Sequence, residues 1–222
     1  KDKLEIKKAT RLYEKKYNKI ASFCSNHIKV RCCSSLDGAN ALVGDTDVLL
    51  AGSDQIWSPR AGLLSEFTTL QFGGERLKRY SYAASLGVQK LDASEESILK
   101  KGISKFESVS LRESSSEPII KRLFNRDVVI SLDPTLLYDR SFWDQYVSDT
   151  ISQEYILVYM LRPEPMTLLC AKKLSERLGL PIYLLSNRIV NEKSVNNITD
   201  AGVEDFLSYF QNAKYVVTNS FH

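Results

Sequence analysis

The chain has 222 residues, of which 43% are hydrophobic and 26% are charged, and its formal net charge is +3. This composition is typical of an ordinary globular protein, and lysines and arginines scattered among acids argue against a nucleic-acid partner. No apolar run approaches roughly 18 residues, so we predict no membrane span.

The first predicted element is an amphipathic helix over residues 3–23, where apolar residues recur at helical spacing among lysines. A continuous apolar strand follows at residues 47–51, as is typical of strands buried on both faces of a parallel sheet. Gly52 then permits a sharp exit, and the next three polar residues are expected at the carboxyl edge of that sheet. They are Ser53, Asp54 and Gln55.

Strands and helices then alternate along the first half of the chain. Strands are predicted at residues 79–87, 108–113 and 127–133, and helices at residues 94–106 and 114–124. This alternation indicates βαβ units and a mostly parallel sheet. Arg112 is expected at the tip of its strand, and Pro134 ends the last one. We predict that Asp133 ends its strand with local hydrogen bonds, outside the site, and that Leu132, Leu136 and Leu137 are core.

The pattern changes between residues 138 and 151, where a short aromatic helix is predicted at residues 139–143 and is not followed by an apolar strand. We therefore predict two domains, residues 1–148 and 149–222. The second domain restarts the alternation, with strands at 155–161, 181–186 and 214–218 and helices at 166–178 and 202–212.

The final strand runs directly into polar residues, and ligands of open α/β sheets bind at that carboxyl edge. The segment after it consists of Asn219, Ser220, Phe221 and His222.

Several strand ends together resemble one known family. The segments are Gly52-Ser-Asp-Gln-Ile-Trp57, Tyr82-Ala-Ala-Ser-Leu-Gly87, Ser110-Leu-Arg-Glu113, Leu132-Asp-Pro-Thr135 followed by Trp143, and Val217-Thr-Asn-Ser-Phe-His222. In this order they resemble the polysaccharide pyruvyl transferase family. The resemblance runs from about residue 20 to the end of the chain.

The resemblance implies an α/β fold with two Rossmann-like domains facing a cleft, an arrangement similar to glycosyltransferase-B. It also implies transfer of a pyruvyl group from phosphoenolpyruvate to sugar hydroxyls of a cell-surface or exported glycan, which forms a pyruvyl ketal. A glycine-rich opening strand before residue 1 and a glycine-led helix after His222 are expected from the family. Their absence predicts that both ends are truncated, so that part of the site is missing.

The reaction assigns roles to particular residues. Phosphoenolpyruvate carries a phosphate and a carboxylate, which a guanidinium grips with paired hydrogen bonds, so Arg112 is the predicted donor clamp. Imidazole titrates near neutral pH, so His222 is the predicted acid and base. Asn219 and Ser220 are expected to assist departure of phosphate, and Phe221 to contact substrate. The family likewise links the positions of Arg112 and His222 to donor binding and catalysis.

Ser53, Asp54 and Gln55 admit two interpretations. They contact the acceptor sugar or the donor, or they form a turn in which Asp54 caps the following segment. For Trp57 we favour packing over stacking on a sugar.

Neither a metal nor a cofactor is predicted, with phosphoenolpyruvate serving as donor substrate and a sugar or lipid-linked glycan as acceptor. Cysteines without metal-ligand spacing, in a chain this long, indicate reduced thiols and a cytosolic setting. The expected location is therefore cytoplasmic, with the inner face of the membrane as the alternative for work on a lipid-linked glycan. Two other functions stay open at this point. One is a nucleotide-sugar glycosyltransferase of similar fold, and the other is a glycan-binding protein without catalysis.

Overall fold

The computed structural model describes residues 2–147, 151–162 and 164–221, with residues 2–12 described as backbone. The chain divides into two compact units. The first sheet unit is Arg31–Tyr138, and the second sheet unit combines Lys1–Val30 with Asp139–His222. Each unit is described by itself.

The first sheet unit contains four parallel strands. Its elements are α2 (Leu36–Val43), β1 (Val48–Ala51), β2 (Lys78–Ser81), α3 (Ala93–Ile103), β3 (Ser110–Leu111), α4 (Glu117–Phe124) and β4 (Val129–Ile130). Strand β1 pairs with β2, and β3 pairs with β4. Single parallel bridges from Tyr80 to Ser108 and from Ala84 to Leu111 join the two pairs. The strands therefore lie in chain order, and all four carboxyl ends share one edge.

The core of this unit lies between the strands and the helices α3 and α4. It is built around Trp57, Leu99, Ile103, Phe106, Leu111 and Ile120, which are fully buried. The indole Nε1 of Trp57 donates to the Thr68 carbonyl oxygen at 2.8 Å, so the predicted packing role of Trp57 is confirmed. The prediction that three leucines near residue 134 are core is wrong, because the segment after β4, which includes a 3-10 turn at Pro134–Leu136, leaves their side chains 56–63% exposed. They are Leu132, Leu136 and Leu137.

A buried arginine holds the connection between β1 and β2. Arg79 is 2% exposed, and its guanidinium donates to four backbone carbonyl oxygens. The acceptors are those of Leu70 at 2.9 Å, Leu77 at 2.8 Å, Phe72 at 2.5 Å and Gly74 at 2.7 Å. Because buried polar groups without partners destabilise a fold, this single side chain fixes residues 70–77 against β2.

The second sheet unit contains a four-stranded parallel sheet. Its elements after Tyr138 are α5 (Arg140–Asp144), β5 (Ile156–Met160), α6 (Pro165–Leu178), β6 (Ile182–Ser186), β7 (Val195–Ile198), α7 (Val203–Asn212) and β8 (Tyr215–Thr218). The strand order is β7-β6-β5-β8. The chain leaves β5 toward β6 on one side and returns to β8 on the other. The carboxyl ends of β5 and β8 therefore form a topological switch point, where α/β sheets bind ligands.

The first helix, α1 (Asp2–His27), belongs to the second sheet unit. Lys19 forms an ion pair with Asp205 at 2.7 Å, and Tyr13 donates its hydroxyl to the Asn187 carbonyl oxygen at 2.8 Å. This grouping differs from the predicted domains 1–148 and 149–222, since periodicity shows which face of a helix is apolar but not which sheet it covers.

Most of the predicted helices and strands are present. Two elements were not predicted, α2 and β7. The sequence Val195-Asn-Asn-Ile198 of β7 resembles a loop because its two central residues are polar. None of the helices in the described ranges is long and apolar enough to cross a lipid bilayer.

Candidate functional site

Arg112 follows β3 directly, as predicted, and its side chain is only 7% exposed. Its Nη1 donates to Asp54 Oδ1 at 3.0 Å and to Asp133 Oδ2 at 3.0 Å. A guanidinium held by two carboxylates in a nearly buried position is uncommon for a residue at the end of a strand, where exposed ion pairs are the rule. The arrangement marks this edge of the sheet as a candidate site.

Each of the four strands of the first sheet unit contributes a polar side chain to this edge. Asp54 comes after β1, Ser85 after β2, Arg112 after β3 and Asp133 after β4. Parallel bridges from Asp54 to Ala84 and from Ala84 to Leu111 hold the strand ends in register. The cluster therefore arises from the parallel topology, because carboxyl ends of parallel strands meet at one edge.

Asp133 anchors the cluster, although the sequence analysis placed it outside the site. It is 3% exposed. Its Oδ1 accepts from the Thr135 amide at 3.0 Å and the Thr135 hydroxyl at 2.8 Å. The Ser53 hydroxyl lies 3.2 Å from Oδ2 and 3.1 Å from the Ala83 carbonyl oxygen. The local bonds to Thr135 confirm the predicted local hydrogen bonding of Asp133, and its pairing with Arg112 makes it part of the cluster.

A third carboxylate, that of Glu113, borders the same guanidinium and was not predicted. Its Oε2 lies 3.7 Å from Arg112 Nε. Its Oε1 accepts from the hydroxyls of Ser85 at 2.7 Å and Ser116 at 2.9 Å. These bonds orient Glu113 from both sides, so the guanidinium contacts three carboxylates. The signal that could have identified Glu113 is its position directly after Arg112 in the sequence.

Burial acts to lower the pKa of Arg112, but hydrogen bonds with Asp133 and Asp54 outweigh it and leave the pKa above its ordinary value. Arg112 therefore stays cationic at every physiological pH.

The two carboxylates that accept from Arg112 Nη1 differ in accessibility, since the Asp54 side chain is 67% exposed and that of Asp133 is 3% exposed. Asp54 is thus the partner that an incoming anion can replace.

Of the three polar residues predicted after β1, the structure brings two to Arg112. Ser53 reaches it through Asp133, and Asp54 contacts it directly. Asp54 takes up a left-handed backbone with φ of 60°. Gln55 instead lies against Gly87, where an added Cβ would stand 2.9 Å from the Gln55 side chain. Gln55 is therefore not part of the hydrogen-bonded cluster.

The second sheet unit holds three other predicted site residues, Asn219, Ser220 and Phe221, after β8 at its switch point. Asn219 Nδ2 donates to the Arg162 carbonyl oxygen at 3.2 Å, and the Thr218 hydroxyl donates to the Tyr159 carbonyl oxygen at 2.9 Å. These bonds tie the end of β8 to the end of β5. Ser220 is half-buried there and Phe221 is 71% exposed. His222 lies outside the described residues, so its predicted role stays a prediction.

The helix after β5 does not offer an open anion site. The Glu164 carboxylate accepts from the amides of Met166 at 3.0 Å and Thr167 at 2.7 Å. Hydrogen bonds from Thr167 hold the pKa of Glu164 below its ordinary value. The amides that bind phosphate at the corresponding turn of dinucleotide-binding folds are therefore occupied by the protein's own carboxylate.

In the part of the chain that the structure describes, no group of three or more His, Cys, Asp and Glu side chains is placed to hold a metal ion.

The sequence model of one protein family, described as polysaccharide pyruvyl transferase, matches residues 2–222. The family predicted from the sequence is thereby confirmed. No curated protein matches the chain.

Two examples illustrate the solved structures that this chain resembles. The UDP-GlcNAc 2-epimerase from Methanocaldococcus jannaschii has a TM-score of 0.51 at 13% identity, over 83% of this chain and 60% of that one. A putative UDP-N-acetylglucosamine 2-epimerase from Listeria monocytogenes has a TM-score of 0.50 at 11% identity, over 88% of this chain and 60% of that one. The chain thus spans about 60% of their length. The likeness confirms the predicted α/β, glycosyltransferase-B-like fold class, and at this identity it shows the fold alone.

Proposed function

Because the chain belongs to the polysaccharide pyruvyl transferase family, we propose that the protein transfers a pyruvyl group from phosphoenolpyruvate to hydroxyls of a glycan. The product is a pyruvyl ketal, and phosphate is released. The observation that carries the proposal is the nearly buried guanidinium of Arg112, held between Asp54 and Asp133 at a sheet edge.

Arg112 binds the donor in this proposal. Phosphoenolpyruvate presents two anionic groups, and a guanidinium makes paired, charge-assisted hydrogen bonds to such groups. The buried Asp133 keeps Arg112 in place, and the exposed Asp54 gives up its bond to the incoming donor. Asp54 then lies beside the bound donor, where its charge opposes the anion. The affinity for donor is accordingly set by the balance between Arg112 and its carboxylates.

The chemistry then proceeds in two steps at C2 of phosphoenolpyruvate, an addition across the double bond and then a substitution of the phosphate. The first sugar hydroxyl loses its proton as its oxygen bonds to C2, and a proton is added to C3, which becomes a methyl group. The second hydroxyl loses its proton and displaces phosphate from C2, which closes the ketal ring. His222 exchanges these protons, and Asn219 and Ser220 stabilise the departing phosphate as hydrogen-bond donors. Phe221, largely exposed beside them, contacts substrate.

The acceptor in this proposal is a sugar or a lipid-linked glycan of a cell-surface or exported polysaccharide, modified in the cytoplasm or at the inner face of the membrane. Phosphoenolpyruvate is a substrate, so turnover needs no added cofactor or metal.

Incubation of the full-length protein with phosphoenolpyruvate and candidate glycans tests the proposal by measuring free phosphate and the ketal. We expect Arg112→Ala to lower kcat/KM by about 100-fold or more, as when a preorganised charge-stabilising donor is lost, and His222→Ala to abolish turnover. Arg122→Ala is the matched control, since Arg122 pairs with Glu96 on the surface of the same unit. Full activity of Arg112→Ala would contradict the assignment.

A thermal-shift comparison separates this proposal from a glycosyltransferase. We expect phosphoenolpyruvate to raise the melting temperature in the parent protein but not in Arg112→Ala. A shift with nucleotide sugars alone would instead favour the glycosyltransferase.

A further inference from the structure

The second sheet unit contains a cavity of about 220 Å³ that the roles assigned above do not use. It lies where β5, β6 and β7 reach their carboxyl ends, next to the start of α7, and α1 forms one of its walls. The carboxyl edge of a parallel sheet is the usual place for a ligand. The cavity is therefore a candidate binding site in its own right.

One wall of the cavity is apolar and aromatic. Tyr159 at the end of β5 and Phe206 in α7 line it, and their ring centroids are 5.2 Å apart with the rings nearly perpendicular. Leu161 and Ile198 extend this surface. A pyranose ring presents C–H groups on its faces, and such faces pack on aromatic and aliphatic side chains as other apolar surfaces do.

Polar side chains occupy the rest of the lining. Lys16 Nζ donates to Asn187 Oδ1 at 2.7 Å. An ammonium can only donate, so this bond fixes the amide orientation and leaves the Nδ2 donors of Asn187 for another acceptor. Within the described ranges no protein hydrogen bond from Nδ2 of Asn187 or from the Thr199 hydroxyl is found. Sugar hydroxyls, which both donate and accept, are suitable partners for these groups.

The size and charge of the cavity limit what it can hold. Pockets for drug-sized ligands measure roughly 300–1,000 Å³, so a cavity of about 220 Å³ suits one ring better than a nucleoside diphosphate. Its described lining contains no carboxylate and has Lys16 as its cation, which Asn187 already engages. A single neutral ring fits these properties.

The position of the cavity relates it to transfer. Strand β5 lies between β6 and β8, and Tyr159, which lines the cavity, accepts the hydrogen bond from Thr218 through its carbonyl oxygen. Neighbouring strands are about 4.8 Å apart. A ring in the cavity therefore lies about one strand spacing from the chain that leads to Asn219 and Ser220.

We infer that this cavity binds one pyranose ring of the acceptor glycan, with Lys16, Asn187 and Thr199 hydrogen-bonded to its hydroxyls and Tyr159 and Phe206 packed against its face. The acceptor role rests on the proposed pyruvyl transfer, whereas the binding of the ring does not. In this proposal the cavity recognises either the sugar to be modified or its immediate neighbour in the glycan.

Saturation-transfer NMR on the full-length protein tests this inference with methyl β-galactoside, methyl α-mannoside and methyl N-acetyl-β-glucosaminide at millimolar concentration. We expect saturable binding of at least one of these probes. Lys16→Met, Asn187→Ala and Thr199→Val should each weaken it by about three- to tenfold, the effect of losing one hydrogen bond. Lys15→Met is the matched control, because Lys15 is exposed on the same helix. Thr199→Val preserves the shape of the side chain, so the test stands even if another variant does not fold.

The outcomes separate this inference from the proposed function. Absence of saturable binding, or binding that the three cavity variants leave unchanged, overturns the cavity assignment, even if the protein releases phosphate with a larger glycan. Binding that depends on the cavity residues, without any phosphate release from phosphoenolpyruvate, supports the cavity and overturns the pyruvyl transferase. If Lys15→Met reduces the affinity for the probe as much as Lys16→Met does, the assignment is also contradicted.

Discussion

Substitution of Asp133 tests the cluster around Arg112 by stability alone. Asp133→Ala removes the carboxylate that accepts from Arg112, from the amide and hydroxyl of Thr135 and, in part, from the hydroxyl of Ser53. Removing one partner of a buried ion pair costs about 3–5 kcal/mol. Because Asp54 still contacts the same Nη1 atom, we expect the lower end, a loss of about 3 kcal/mol in the free energy of unfolding. Asp133→Asn keeps the shape and several hydrogen bonds, so it should cost about half as much.

Fluorescence can follow the affected unit selectively. The chain has two tryptophans, and the fully buried Trp57 belongs to the first sheet unit whereas Trp143 lies in α5 of the second. In a Trp143→Phe background, urea unfolding therefore reports on the unit that contains Asp133. At a slope of about 2 kcal/mol per molar urea, a loss of 3 kcal/mol moves the midpoint by about 1.5 M.

The exposed Asp127 provides the control. Its carboxylate lies 3.9 Å from Lys121 and is fully exposed, so Asp127→Ala should leave the midpoint unchanged within error. If Asp133→Ala shifts the midpoint no more than Asp127→Ala does, the buried pair does not stabilise the unit and the reasoning is refuted.

Three other substitutions test the remaining polar contacts. Arg79→Met leaves four backbone carbonyls without their donor, so the Trp57 assay should show a loss of at least about 3 kcal/mol; a loss below about 1 kcal/mol would contradict the clamp. Asp54→Asn should lower the KM for phosphoenolpyruvate by about three- to tenfold, because a neutral amide competes less for Arg112, and an unchanged KM would show that Asp54 does not compete with donor. Burial raises the pKa of Asp205, but bonds from Lys19 and the Gly202 amide outweigh it and hold the pKa below its ordinary value. The stability from this shift is present above about pH 4 and is lost as the pH falls through the folded pKa. Lys19→Met should therefore lose less stability than the parent between about pH 5 and pH 3, measured by Trp143 fluorescence, and equal losses would exclude the effect.

The sequence predicted which segments form the strands of the first sheet unit, but not where each strand ends or which side chains meet there. The strand predicted at residues 79–87, for example, ends at Ser81. Arg112 was placed correctly after its strand because Val109 and Leu111 alternate with serines, which is a strand pattern, and the pattern stops at the charged residue. Asp133 was excluded because Asp before Pro has a sufficient local explanation, and nothing local indicates a guanidinium 21 residues away. Contacts between different strand ends depend on strand order, which a single sequence does not contain.

The same limit explains the other differences. The leucines after β4 are apolar but exposed within their unit, since composition reports hydrophobicity and not the presence of a covering element. The first helix was grouped with residues 1–148 because it is close to them in the sequence. In the structure, Tyr13 binds Asn187 and Lys19 binds Asp205, both of the second sheet unit. Neither the cavity beside Tyr159 nor its lining was predicted, because β7 was not recognised and so the third strand bordering the cavity was missing.

The left-handed backbone beside Arg112 has a consequence for engineering. Asp54 and Ala83 have φ values of 60° and 48°, and a residue with a side chain in this region costs about 1–3 kcal/mol. Selection for thermal tolerance would therefore favour glycine at both positions. At position 83 this exchange leaves every charge in place, whereas at position 54 it removes the carboxylate that we propose competes with the donor for Arg112. A substitution at position 83 thus changes heat resistance without changing substrate affinity, whereas a substitution at position 54 changes both together.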